Sequence, residues 1–135
     1  MYTAPSIWGN YIFFGDKNWY NTITAVVKIK KGDYLFANLI NLERINFVDA
    51  NGINRFDTSD AKTMSYMFYK CSSLVNLDLS SFDIIFVFFM LIMFQSCTSR
   101  ENLNVSNWNT SNVKSMEKSF YLCSKLKNID VSNWN

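Results

Sequence analysis

The sequence predicts an α/β solenoid in which short parallel strands alternate with short helices and each coil takes 26 residues. A stretch of the chain is written three times, as FDTSDAKTMSYMFYKC, FDIIFVFFMLIMFQSC and WNTSNVKSMEKSFYLC. Its cysteines, Cys71, Cys97 and Cys123, lie 26 residues apart. A fixed period of this length is typical of proteins whose units bury their apolar faces by stacking on one another.

The chain divides into an N-terminal cap and a repeat region within one domain, because 135 residues are too few for two ordinary cores. Residues 1–33 form the predicted cap, with a first strand near residues 23–30. Residues 34–135 form the repeats: an irregular unit at 34–55 and regular units at 56–81, 82–107 and 108–135. The irregular unit matches its successor at an offset of 32 residues, so we place six extra residues in 48–55, where Asn51-Gly52 predicts a turn.

Each regular unit has a strand pattern followed by a helix pattern. Leu77 and Leu79 alternate with polar residues, which is the period of a strand with one buried face. After the strand, Thr58 and Thr110 are residues that start helices. Apolar residues then recur at helical spacing, which predicts a short helix with one stripe facing the sheet: Ala61, Met64 and Phe68 in one unit, and Val113, Met116 and Phe120 in another.

The pattern LxxLDLSxFDTSxVxxMxxMFxxCSSL, seen in residues 56–83 and covering about residues 34–135, resembles the repeats of bacterial surface proteins grouped with BspA-like leucine-rich-repeat proteins. The resemblance implies a right-handed, leucine-rich-repeat-like solenoid. It also implies a secreted or cell-surface bacterial protein with a binding or adhesion role. The N-terminal residues show no signal-peptide pattern.

The composition of the chain excludes several classes of function and partner. The chain has no histidine, which excludes histidine-based triads and histidine-ligated zinc. A formal net charge of +2 does not indicate a nucleic-acid partner, and we expect no cofactor. The longest apolar run, residues 84–94, is too short to span a membrane. The cysteines form no CxxC pair, so we expect buried thiols used for packing, with a disulfide between neighbouring coils as the alternative.

The candidate binding surface is the polar face of the predicted sheet, which solenoids use for partners. Repeated amides and hydroxyls also stabilise a stack by bonding to one another, and that structural interpretation stays open. One carboxylate or amide per coil is too few ligands for calcium, so we expect no metal. The aromatic column of Phe56, Phe82, Trp108 and Trp134 is either a sugar platform or, as we favour, part of the core. The candidate binding residues are Asn76, Asp78, Ser80, Asn102, Asn104, Ser106, Asn128, Asp130 and Ser132.

The second copy departs from the pattern in two ways. Its outer positions become apolar, which predicts a contact patch or reflects drift in one dispensable copy: Ile84, Ile85, Phe86, Phe88, Phe89, Leu91 and Ile92. Arg100 replaces the core residues Leu74 and Leu126. Because a buried, unpaired guanidinium is costly, we expect Arg100 to extend outward to solvent.

Two function classes remain. The first is a non-enzymatic recognition or adhesion module that binds an unidentified protein or glycan through the sheet face. The second is a structural spacer or self-assembling unit with no ligand of its own. An enzyme is not expected, since no nucleophile with a base, carboxylate pair or phosphate loop stands out.

Overall fold

The computed structural model describes residues 18–19, 27–48 and 51–135, so most of the predicted cap lies outside the described residues. The described part is sheet-rich, and its strands pair in parallel: β1 with β3, β2 with β4, and β5, β6 and β7 in one three-stranded sheet. The strands are β1 Asn18–Trp19, β2 Val27–Lys28, β3 Arg44–Ile45, β4 Phe56–Asp57, β5 Asn76–Asp78, β6 Asn102–Asn104 and β7 Asn128–Ile129.

The three-stranded sheet places residues 26 apart side by side. Asn76 pairs with Asn102, and Asn102 pairs with Asn128. Leu77 and Leu103 point into the core, at 3% and 5% exposure, while the asparagines and the one aspartate beside them are exposed. The predicted strand pattern and its register are therefore confirmed in β5 and β6.

The predicted helices are wrong: no helix occurs among residues 18–19, 27–48 and 51–135. In an α-helix each amide would donate to a carbonyl four residues earlier. Here the amides of Met64, Tyr66 and Phe68 donate instead to Phe89, Leu91 and Met93 in the next repeat, each at 2.9 Å. Contacts between repeats thus satisfy the backbone groups that a helix would have satisfied internally.

Tight turns take the place of each helix. The amide of Cys71 donates to the carbonyl of Phe68 at 3.1 Å, and that of Cys97 donates to Phe94 at the same distance. The third residue of each turn, Lys70 or Ser96, has a positive φ of 58° or 62°. A positive φ at this position is what a type II turn requires, and it cannot be continued as a right-handed helix.

The inward residues are nevertheless those predicted. Ala61, Met64 and Phe68 are all fully buried. Phe68 stacks on Phe94 with ring centroids 5.7 Å apart, and Phe94 stacks on Phe120 at 5.5 Å. The side chains of one position therefore form a continuous column through the stacked repeats, and this column is the centre of the core.

The cysteines form a second column. Cys71 and Cys97 are buried free thiols, and Cys123 is a half-buried free thiol, which confirms the packing role. Each Sγ donates to a carbonyl of the preceding repeat, on Phe36, Phe68 and Phe94 respectively, at 3.0–3.1 Å. Burial raises the pKa of the Cys71 thiol to about 12 and that of Cys97 to about 11.

The irregular first unit carries its extra residues where the sequence predicts them. Val48 forms an antiparallel bridge with Asn54, and the amide of Arg55 donates to Phe47 at 3.0 Å. Gly52 is exposed with a φ of +80°, a conformation that glycine adopts without a Cβ penalty. The described residues on either side of 49–50 thus approach each other at the Val48–Asn54 bridge, and the core of this unit stays in register with the next, since Phe36 stacks on Phe68.

Arg100 contradicts its prediction. It is 1% exposed and does not extend to solvent. Its Nε donates to the carbonyl of Leu74 at 3.1 Å, and its guanidinium lies 5.9 Å from the centre of the Phe94 ring. Nη1 and Nη2 are buried without a hydrogen-bond partner in the described chain, and burial lowers the pKa of this group. One bond to a carbonyl and one aromatic face hold the side chain inside.

Candidate functional site

The predicted binding residues lie along one polar face of the stacked strands. A cavity of about 750 Å³ lies over β3, β5 and β6, and a second of about 420 Å³ continues over β6 and β7. A third, of about 90 Å³, adjoins β3 and the residues that follow β5. We call these together the strand groove. Of the predicted residues, those that line it are Asn76, Asp78, Ser80, Asn102, Asn104, Ser106, Asn128 and Asp130.

The strand groove exists because the sheet is interrupted. β3 and β5 are neighbours, yet they belong to separate sheets. Along this gap the groove is lined by residues that the sequence did not single out, Glu43, Arg44 and Ser73 among them. The six-residue insertion shifts the first unit relative to the regular ones, and that irregularity was the available sequence signal.

The polar columns are partly bonded within themselves. Asn102 Nδ2 donates to Asn76 Oδ1 at 3.0 Å, which links neighbouring strands. Asp78 Oδ1 accepts from the amide of Ser80, and Asp130 Oδ1 accepts from that of Ser132, both at 2.9 Å. Hydrogen bonds from the Ser132 hydroxyl and amide lower the pKa of Asp130. Ser132, the last predicted residue, is exposed and orients this carboxylate.

The groove offers both signs of charge and many hydrogen-bonding groups. Arg44 lies at one end beside Glu43, whereas Asp78 and Asp130 lie further along. Lys127 pairs with Glu101 at 3.9 Å near β6 and β7. Exposed pairs of this kind contribute little to stability, and neither of these two side chains lines the groove.

The aromatic column does not reach the groove. Phe56, Phe82 and Trp108 are 0%, 4% and 1% exposed, and Trp134 is half-buried. Trp108 Nε1 donates to the carbonyl of Leu79 at 3.2 Å, which fixes its ring inside the stack. The core interpretation of this column is therefore confirmed for its first three members.

The carboxylates of the groove are not gathered as metal ligands. Within the described ranges, no three His, Cys, Asp or Glu side chains are grouped closely enough to hold a metal ion. Asp78 and Asp130 are separated by the strand that carries Asn104. A calcium ion takes six to eight oxygen ligands, which the described side chains of this face do not bring to one point.

The apolar positions of the second repeat fall into three groups. Phe86 and Phe89 are 48% and 44% exposed, while Ile84 is 2% exposed and is therefore not part of the outer face. The remaining members are intermediate: Ile85, Phe88, Leu91 and Ile92. These residues lie on the segment of turns and not on the strands.

Ile84 is buried because its position belongs to the interface between repeats. In the first regular unit this position is Thr58, whose Oγ1 donates to the carbonyl of Asp83 at 2.9 Å and accepts from its amide at 2.8 Å. In the third it is Thr110, which accepts from the amide of Asn135 at 2.9 Å. The predicted helix-starting threonines are thus clamps between repeats, a role that the local sequence pattern did not reveal.

In the described part of the chain, no helix has the length and apolar character needed to cross a membrane. Comparison with curated proteins and with solved structures gave no match. One family model does match, over residues 26–135, which covers most of the chain and all of the regular repeats. The chain therefore belongs to the family described as Mycoplasma protein of unknown function, DUF285.

Proposed function

We propose that this chain is a non-enzymatic recognition module that binds a partner in the strand groove. In this proposal the stacked repeats form a leucine-rich-repeat-like solenoid related to the BspA-like surface proteins, and the module acts at the cell surface or after secretion. The observation that carries the proposal is the cavity of about 750 Å³ over β3, β5 and β6. A concave surface with convergent polar groups is the default location of a binding site.

The polar lining supports a partner that offers both donors and acceptors. In their mutual hydrogen bond Asn102 uses one side-chain donor and Asn76 one side-chain acceptor. The other donors and acceptors of these two exposed amides can therefore bond to a partner. Asp78 likewise keeps a second carboxylate oxygen beyond its bond from Ser80. A peptide main chain presents alternating N–H and C=O groups that match such a surface.

A protein partner is favoured over a glycan. Sugar sites are commonly built on an exposed aromatic face, and the aromatic column of this chain is used in the core. No aromatic side chain is among the residues that line the cavity of about 750 Å³. Hydrogen bonding by asparagine and aspartate therefore has to supply most of the specificity.

The experiment is a peptide selection directed at the groove. Peptides are selected by phage display on the immobilised protein, and their affinities are measured by biolayer interferometry against the wild type and against Asp78→Ala combined with Asn102→Ala. We expect the double variant to bind about 5- to 150-fold more weakly, since each of the two lost hydrogen bonds contributes about 0.5–1.5 kcal/mol. A glycan array with the same two proteins tests the alternative partner class.

Phe89→Ser is the matched control, because it changes an exposed residue outside the groove to the residue that Ser115 provides in the next repeat. Selected peptides should bind this control as tightly as the wild type. Peptides that bind the double variant undiminished would place recognition elsewhere on the molecule and overturn the proposal.

A structural spacer is the second candidate, and the continuous stacking of repeats favours it. Phe36, Phe68 and Phe94 stack at 5.4 and 5.7 Å, and backbone hydrogen bonds link the turn segments of successive repeats and, from β5 to β7, their strands as well. Such a stack transmits force along its length without a ligand. If the selection yields no peptide and the array no glycan that binds the wild type above background, the spacer function becomes the preferred one.

A further inference from the structure

The second repeat exposes aromatic side chains on the segment of turns, away from the strand groove. Phe86 is 48% exposed and Phe89 is 44% exposed, with Phe88 and Ile92 partly exposed beside them. The equivalents of Phe89 in the flanking repeats are Thr63 and Ser115, to which it is bridged. A cluster of large apolar groups at positions that are otherwise polar marks a contact surface.

Lysines surround this cluster. Lys62 Nζ lies 4.5 Å from the centre of the Phe86 ring, and Lys114 Nζ lies 5.3 Å from that of Phe88. The amide of Phe88 donates to Lys62 and that of Lys114 donates to Phe88, so the three residues occupy one position in successive repeats. Lys30 precedes them in the same column, since its carbonyl accepts from the amide of Lys62.

The charge of this surface is predominantly positive. Lys30, Lys62 and Lys114 are exposed, and none of them forms an ion pair within the described residues. Among the acidic residues of these repeats, Asp60 pairs with Lys28 at 3.2 Å, Asp33 with Lys31 at 3.9 Å and Glu117 with Lys118 at 3.9 Å. Asp83 is exposed and accepts from the amide of Ile85 at 3.0 Å, so one carboxylate stands against the three lysines. Cationic charge is therefore left over around an apolar centre.

We propose that this surface, formed by Phe86, Phe88, Phe89, Lys30, Lys62 and Lys114, docks on the surface of an anionic lipid bilayer. Exposed phenylalanine rings partition into the boundary between headgroups and acyl chains, and lysines beside them bind anionic headgroups while their stems cover apolar surface. Backbone bonds such as Met64 to Phe89 and Met90 to Ser115, at 2.9 and 3.0 Å, hold the rings in a fixed arrangement. The docking is peripheral and leaves the strand groove open.

A second copy of the chain fits this surface less well. In a two-fold dimer the same patch meets itself, which would bring the lysine columns of both copies together. Like charges placed face to face disfavour that contact, whereas a negatively charged membrane neutralises them.

Vesicle flotation tests the proposal. The wild type is mixed with vesicles of phosphatidylcholine alone or of phosphatidylcholine with about 30% phosphatidylglycerol, which gives the vesicle a negative surface potential. We expect flotation with the anionic vesicles only, weakening as salt rises. Each substitution should weaken vesicle binding about fivefold, so we expect a loss of about 25-fold for Phe86→Asn with Phe89→Ser and for Lys62→Gln with Lys114→Gln.

The aromatic variant should fold, because Asn112 and Ser115 occupy these positions in the third repeat. Ile40→Ser is the matched control: it removes an apolar side chain that is 55% exposed at a site outside the patch, and it should not change flotation. The salt dependence of the wild type stands even if a variant fails to fold. Equal flotation with both vesicle types, no flotation, or a patch-dependent dimer in light scattering would each overturn the proposal.

Discussion

The guanidinium of Arg100 lies where the neighbouring repeats carry Leu74 and Leu126, and it is almost fully buried. Replacing a buried charge by an apolar side chain of similar reach often stabilises a protein by about 1–4 kcal/mol. We therefore expect Arg100→Leu to raise the free energy of unfolding, because it removes two buried groups, Nη1 and Nη2, that have no partner in the described chain. Urea denaturation of both proteins measures the difference.

Arg100→Ala is the control for this prediction, since it removes the charge without refilling the space. A cavity offsets the gain, so the alanine variant should be less stable than the leucine variant by about 2–5 kcal/mol. If Arg100→Leu lowers the stability instead, the bond from Nε to Leu74 outweighs the desolvation of the guanidinium, and the cost argument fails.

Ile84 breaks a series of threonine clamps at the same residue scale. Thr58 and Thr110 each bond to the backbone of the next repeat, and Ile84 has no hydroxyl with which to bond Asn109. We expect Ile84→Thr to be more stable than Ile84→Val by about 1 kcal/mol, because the two variants have nearly the same shape and differ by one buried hydrogen-bonding group. Thermal unfolding compares them, and a more stable valine variant would contradict the clamp.

The turns show their main strain at Ile92, which has a φ of +57° although it is β-branched. The left-handed region costs such a residue about 1–2 kcal/mol, whereas asparagine tolerates it. We expect Ile92→Asn to raise the stability by about 1 kcal/mol and Ile92→Val, which keeps the branching, to give no gain. Chemical denaturation of the two variants separates backbone strain from loss of side-chain contacts. Equal changes in unfolding free energy for both variants would show that the positive φ of Ile92 costs no stability.

The cysteine column makes the fold sensitive to alkaline pH. Burial raises the pKa of Cys71 from 9.0 to about 12, so the folded state keeps a proton that the unfolded state loses above pH 9. The contribution of the Cys71 thiol to the free energy of unfolding is fully present below pH 9, and it is lost as the pH rises from 9 toward 12. At pH 10 we expect the unfolding free energy of the wild type to fall more steeply than that of Cys71→Ala, by about 1.4 kcal/mol per pH unit. Parallel slopes would show that Cys71 does not titrate in this way.

The turn segments show which features of the fold the sequence predicts and which it does not. Met64 and Phe68 point inward as predicted, because their 26-residue recurrence reports which side chains stack. Their spacing of four residues also fits a helix, and it fits a chain of turns equally well. Only the hydrogen bonds between repeats decide for turns, and those bonds join residues about 25 apart, beyond the reach of local pattern.

At the scale of the whole molecule, contacts between stacked repeats pair the backbone groups and bury the apolar side chains. In other folds a helix or a large sheet has this role. Phe94 packs between Phe68 and Phe120, and the strands, turns and thiols each add a contact with the next repeat. The polar face was predictable because the alternation of polar and apolar residues fixes which side of a strand faces solvent. The cavity beside β3 was not, since it depends on how the irregular first unit meets the second.

Deleting one whole repeat tests this architecture. Removal of residues 82–107 joins unit 56–81 to unit 108–135, so that β5 meets β7 with Asn76 beside Asn128 and the phenylalanine column unbroken. In a stack held by contacts between neighbours, the shortened chain should fold cooperatively with a smaller denaturant m-value, since less surface is buried. Deleting 82–106 leaves one extra residue, which exchanges the inward and outward faces of β7, the strand that follows the deletion. We expect circular dichroism and urea unfolding to show a folded protein for the first deletion and a loss of cooperative unfolding for the second; equal behaviour of the two would mean that register between repeats does not hold the fold together.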